Sequence, residues 1–370
     1  MVVAALALQL AFGIVFAWGA VVPFVRAEDH WPPLLLGAVF SGTPLGYGIG
    51  TVLGGRLADR LPPRRLCWAS LAVLAIGFAV AFAAPGGLTF VVAYAGVALG
   101  VGGGLALTGT VAALAQVLPE RAGAVGGLGS ATYAASAIFQ APAIAALAPR
   151  LGWLRALEVV GVGMALATAG LLLLMPALPP RRPAAAPRPL LTPAVGRGAA
   201  LALCGATFGT FSIVNLPGEA GPGVAALAAA ALAAGNAAGR VVGGLSADRL
   251  GARRVVTAVF VLELAAAAVL FHGAGPAVAL LVAFGAGMAL GADVGILSRV
   301  GADAAPDRPN AAFGLVFLGF TTGAFAGPLL GALIGMPAAW LAAAAPAAIG
   351  LGLLAVSAGR SAGLRTGPGT

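Results

Sequence analysis

Two stretches decide how this chain is read: Gly54-Gly55-Arg56-Leu57-Ala58-Asp59-Arg60-Leu61-Pro62-Pro63-Arg64-Arg65 and Gly243-Gly244-Leu245-Ser246-Ala247-Asp248-Arg249-Leu250-Gly251-Ala252-Arg253-Arg254. Eight of these twelve positions are identical, and each stretch follows a long apolar block. A second echo lies further along. Pro119-Glu120-Arg121 with Ala124 and Gly127 matches Pro306-Asp307-Arg308 with Ala311 and Gly314. Segments repeated in the same order and the same membrane orientation indicate two parallel halves, related by an axis along the membrane normal.

Composition says where those halves sit. Of 370 residues, 61% are hydrophobic and 8% charged, and the mean hydropathy is +1.04. A soluble domain carries about 25% charged residues and cannot hide this much apolar surface. A soluble enzyme, a secreted disulfide scaffold and a nucleic-acid binder are thereby set aside. A spanning helix needs about 20 apolar residues. Breakers and charges divide the chain into blocks near 3–25, 33–55, 66–84, 88–116, 124–146, 156–176, 199–216, 224–246, 255–273, 277–299, 311–335 and 338–357. The predicted fold is an all-α membrane protein of twelve transmembrane helices in two pseudo-symmetric six-helix halves, 1–178 and 198–370. The Pro- and Arg-rich stretch 179–197 reads as an extended cytoplasmic linker.

All 20 basic residues are arginine. With the N-terminus in the cytoplasm, sixteen of them fall on the inner side; Arg26, Arg150 and Arg155 fall outside, and Arg240 lies within a span. Cytoplasmic Arg excess sets orientation, so both termini are expected inside the cytoplasmic (inner) membrane. The net charge of +9 is then a topology signal with some contact to anionic lipid, not a nucleic-acid footprint. Cys67 and Cys204 lack CxxC spacing, and His30 and His272 are far apart; no metal, cofactor or disulfide is expected. Met1 leads straight into an apolar stretch without a basic n-region, so no cleavable signal is expected.

Ionisable residues deep in a span cost about 2.5–3.5 kcal/mol each on insertion scales and mark pathways. Arg240, Glu263 and Asp293 qualify. Arg240 precedes Asp248, and Asp293 precedes Gly301, by eight residues, which places both about 12 Å deep. The two are expected to lie level across the second half, where opposite charges lower each other's cost and a substrate carboxylate competes for the arginine. From that depth Arg240 also reaches the headgroups by snorkelling, a purely structural alternative.

The loop from Gly244 to Arg254 reads G-x-x-x-D-R-x-G-x-R-R, the hallmark of the major facilitator superfamily, which the chain resembles over its whole length. The first copy departs from it at Pro62, where the family usually has Gly. The resemblance implies a central cavity between two halves that rock to expose it to either side. It also implies gating roles for Asp59, Arg60, Asp248 and Arg249. An acid at such a site accepts from a loop arginine or faces a helix N-terminus. By pseudo-symmetry Asp59 is expected to clamp the start of span eleven near Arg308, and Asp248 the start of span five near Arg121. Otherwise these charges only set topology and loop shape.

A sharper resemblance runs from Gly235 to Asp248, which is similar to the eighth helix of the monocarboxylate and oxalate–formate branch. There the matching arginine binds the substrate carboxylate. Asn236 stands one turn before Arg240 on the same face. Leu118–Gly123, Gly152–Ala156 and Phe16-Ala17-Trp18-Gly19 resemble further segments of that branch. Phe320 stands where the oxalate–formate exchangers carry a lysine, and the animal transporters' first-helix lysine has no counterpart between Leu8 and Val22. One cavity cation suits a monocarboxylate. The resemblance thus implies a secondary transporter of a small organic anion, by proton coupling or exchange, with Arg240, Asn236, Phe16, Trp18, Phe317 and Phe320 binding substrate. Asp293 is the expected coupling group. Glu263, on the peripheral span nine, is expected in a packing or lipid-edge role. Efflux of apolar drugs through Asp293 or Glu263 is the alternative, and a non-transporting receptor is the alternative from another class. No nucleophile–base set points to an enzyme.

Overall fold

The computed structural model describes residues 1–177, 189–220 and 225–363, and among them there is no β-strand. The first group of helices comprises α1 (Val2–Phe12), a 3-10 segment (Gly13–Ala17), α2 (Trp18–Glu28), α3 (Pro33–Ala58), α4 (Pro63–Ala83), α5 (Gly87–Phe90), a π segment (Val91–Val101), α6 (Gly102–Val117), α7 (Ala122–Ala135), α8 (Ala137–Leu151) and α9 (Trp153–Leu173). The second comprises α10 (Pro193–Glu219), α11 (Ala225–Leu250), α12 (Ala252–Phe271), α13 (Pro276–Ala304), α14 (Pro309–Ile334) and α15 (Ala338–Gly363). Among the described residues, eight helical stretches are long and apolar enough to cross a membrane by length and composition.

Most boundaries follow the apolar blocks, with three differences. The first block is split by the 3-10 segment, and the fifth is interrupted at Ser136. The two breaks meet: a Cβ on Gly13 would stand 2.1–2.5 Å from Tyr133 and Ser136, so only glycine fits. The third difference is that 193–197, read as linker, is helical. Thr192 Oγ1 accepts from the Val195 amide at 3.3 Å, and Pro193 occupies the first turn, which together start α10. Residues 179–188 of the expected linker lie outside the described residues.

Glycine sets how closely helices approach. On α13, a Cβ at Gly287, Gly291 or Gly295 would fall 2.1–2.3 Å from the carbonyls of Leu232, Asn236 and Arg240 on α11. Backbones therefore touch along this seam, the packing that small residues permit where lipid gives no hydrophobic drive between helices. The two groups also join each other. At the end that carries Arg60, Arg64, Arg249, Arg253 and Arg308, Val294, Leu297, Phe313, Val316 and Phe317 of the second group enter the first group's apolar core. At the opposite end, the core around Phe208, Phe211, Leu216, Leu270 and Trp340 stays within the second group among the described residues. The molecule is thus closed at its arginine-rich end.

Candidate functional site

Arg240 lies where α11 meets α7 of the other group. A Cβ on Gly127 would be 2.2 Å from the Arg240 carbonyl, so the two helices touch there. Arg240 is buried, at 7% exposure. Its Nε donates to Asn236 Oδ1 at 2.9 Å, and its Nη1 donates across the groups to the Ser130 carbonyl at 2.8 Å. The expected i, i+4 placement of Asn236 thus becomes a hydrogen bond that fixes the guanidinium. Among the described residues Nη2 makes no bond, and no carboxylate forms an ion pair with Arg240. Headgroup snorkelling does not describe this side chain, which is held inside the bundle by both bonds.

A row of rings lies beside it. Phe16 meets Tyr133 at 5.2 Å between centroids, Tyr133 meets Tyr47 at 5.6 Å, Tyr47 meets Phe317 at 5.4 Å, and Phe317 meets Phe320 at 5.2 Å. Both tyrosines interact electrostatically with Arg240. The structure brings Phe16, Phe317 and Phe320 into this row, and Phe16 and Phe320 are only half-buried. Trp18 is elsewhere. Its indole donates to the Leu36 carbonyl at 3.0 Å, and its ring packs among Trp31, Phe90, Tyr94 and Trp153 in a second aromatic cluster. Phe16 and Trp18 are two residues apart along a helical stretch, roughly 200° around its axis, so the two rings meet different neighbours. Tyr47, Tyr133 and Ser130 were missed in the sequence. No spacing or motif links these three positions in the sequence; the fold alone brings them together.

Asp293 does not face Arg240. It follows Gly291 by two residues, a turn of about 200° around α13, so it points away from the α11 seam. Its carboxyl packs against Gly205 of α10, where a Cβ would be 2.6–2.9 Å away. Equal depth along two helices carries no information on rotation about them. Of the packing or lipid-edge role expected for Glu263, the lipid edge is ruled out: the residue is wholly buried and lies within electrostatic reach of Asp293.

At the arginine-rich end, Asp59 at the end of α3 lies 3.9 Å from Arg308 at the start of α14, an ion pair between the groups as expected. Arg121 is exposed, and the side chains of residues 122–126 at the start of α7, where Asp248 is expected to clamp, lie outside the described residues. Asp248 forms an ion pair with Arg299 of α13, also at 3.9 Å. Arg299 in turn pairs with Asp303 at 3.0 Å. Arg60 and Arg249, expected to gate, are exposed and form no ion pair among the described residues. The motif arginines that do make contacts are Arg64 and Arg253, which donate to the carbonyls of Leu173 on α9 at 3.2 Å and Leu354 on α15 at 3.1 Å. These are corresponding positions of the two copies, doing the same work.

The two helix groups, joined at their arginine-rich end and holding eight described stretches long and apolar enough to cross a membrane, have the architecture of a multi-pass membrane protein. The sequence matches the Major Facilitator Superfamily over residues 3–217, more than half of its length, and the chain belongs to that superfamily of transporters. No curated protein matches the sequence. Among solved structures, FucP in its outward conformation matches with a TM-score of 0.72 at 16% identity, covering 96% of this chain and 98% of that one. XylE, a proton:xylose symporter, matches with a TM-score of 0.72 at 15% identity, covering 94% and 93%. At such identities the likeness is one of fold.

Proposed function

We propose that this transporter carries a small organic monocarboxylate across the cytoplasmic membrane by alternating access, by proton coupling or exchange. The observation that supports this most is Arg240, a buried cation with no carboxylate partner among the described residues. Buried charges are paired or costly, so an anionic substrate would complete the site. Nη2 keeps two hydrogens for it, and a guanidinium edge suits a carboxylate. Asn236 and the Ser130 carbonyl hold the group in place, which lowers the ordering cost of binding. The aromatic row supplies an apolar wall, and a single cation balances a single negative charge. We read the twelve apolar blocks as twelve crossings in two six-helix halves, with the arginine-rich end and both termini in the cytoplasm. On that orientation, closure at this end is closure toward the cytoplasm.

The test is thermal unfolding of the purified chain against lactate, pyruvate, formate, oxalate, benzoate and several lipophilic cations. A ligand at 100 times its Kd adds about 2.7 kcal/mol of stability. Stabilisation by monocarboxylates, lost in Arg240→Gln, is the expected result. Stabilisation by cations alone, unchanged in that variant, would overturn the reading in favour of efflux.

A further inference from the structure

The Arg240 site packs on one face of α13; the opposite face carries Asp293, with Glu263 of α12 near it, and that site uses neither acid. Asp293 of α13 and Glu263 of α12 lie within electrostatic reach of each other and of Cys204 on α10. Glu263 is inaccessible and Asp293 is 1% exposed. Both oxygens of Glu263 and Oδ2 of Asp293 are buried without a hydrogen-bond partner among the described residues. Gly205 is part of this arrangement, because any side chain there would strike the Asp293 carboxyl at 2.6–2.9 Å. The space is kept for the acid.

What such a pair holds follows from its surroundings. Around it, α10 contributes the Cys204 thiol, α12 and α13 contribute the two acids, and α15 contributes the apolar Ala347 and the backbone of Gly350. The neighbouring core is Val259, Phe260, Ala289 and Ile296. No arginine pairs with either acid among the described residues. Two bare carboxylates in such a core would be strongly disfavoured. A hard metal cation would need about six oxygen ligands, which two carboxyls and a thiol do not supply. A proton needs only one carboxyl oxygen and neutralises the charge where it sits. We propose that Glu263 of α12 and Asp293 of α13 together form a proton-binding site, separate from the Arg240 site on α11. That its proton is the coupling ion rests on the transporter reading above; the presence of the site does not.

The experiment is an infrared titration of the purified full-length chain, which needs no substrate. Surface carboxylates are ionised at neutral pH, so a carbonyl stretch from a protonated carboxylic acid at that pH reports a buried one. Wild type is expected to show this band and to lose it on alkalinisation. Glu263→Gln and Asp293→Asn should each alter it, and the double variant should lose it. Gly205→Ala keeps both acids and should shift the pH at which the band disappears, which covers the case in which an acid variant does not fold. Absence of the band from wild type, or a band unchanged in every variant, overturns the proposal. A chain that binds no carboxylate fails the ligand test and still shows the band.

Discussion

Asp59 and Asp248 hold the same position in the two copies of the loop, yet Asp59 reaches 3.9 Å across to Arg308 in the other group and Asp248 reaches 3.9 Å to Arg299 in its own. The reason is visible nearby. Arg299 stands nine residues before Arg308, and the position nine residues before Arg121 is Ala112. The second group places a cation beside its aspartate where the first has Ala112. The backbone differs as well. Gly251 enters α12 with φ 85° and ψ 145°, whereas Pro62 enters α4 with φ −55° and ψ 140°. Repetition thus preserves which groups are offered at the loop, while each copy takes its own backbone path.

The backbone difference gives the largest expected effect. Gly251 occupies a region that only glycine adopts without strain, so Gly251→Ala should cost on the order of 1–3 kcal/mol of stability. Pro62→Ala frees a residue already at ordinary φ and should cost about 0.4–1 kcal/mol through the unfolded chain. Thermal unfolding of both variants in detergent measures this, and equal losses would remove the contrast.

Next comes the clamp between the groups. A partly exposed ion pair is worth up to about 1 kcal/mol, so Asp59→Asn should raise the population opened at the arginine-rich end several-fold. Spin labels at Arg65→Cys and Arg254→Cys, exposed matching positions on α4 and α12, would report it as a longer interlabel distance. Arg308→Gln should act alike, and the double variant should add little, as a double-mutant cycle for one shared contact requires. The smallest effect is expected from Arg299→Gln, whose partners Asp248 and Asp303 lie in its own group: about 0.5 kcal/mol of stability and no change in that distance. A distance change as large as that for Asp59→Asn would mean that both copies clamp the groups.

Much of the architecture was legible in the sequence because the physics involved is local. Transfer of a residue from water to lipid depends on its own side chain, so apolar blocks, breakers and arginine bias can be summed along the chain. The repeat located Asp59 and Arg308, and the i, i+4 rule located Asn236 beside Arg240. Rotation was not read. Arg240 and Asp293 were assigned one depth, and depth says nothing about which way a helix faces. The glycine stripe at 287, 291 and 295 held that information, since close approach marks the α11-facing side and leaves Asp293 on the other.

By itself, then, the sequence determined an all-helical membrane chain with a repeated loop, a charge-marked end and a short set of buried ionisable residues. Only the tertiary structure decided that Arg240 bonds across the groups to Ser130, that Tyr47 and Tyr133 flank it, that Trp18 turns away, and that Asp293 joins Glu263. Those outcomes depend on helix rotation and on the contact between groups, which arise from packing many side chains at once and not from any single one.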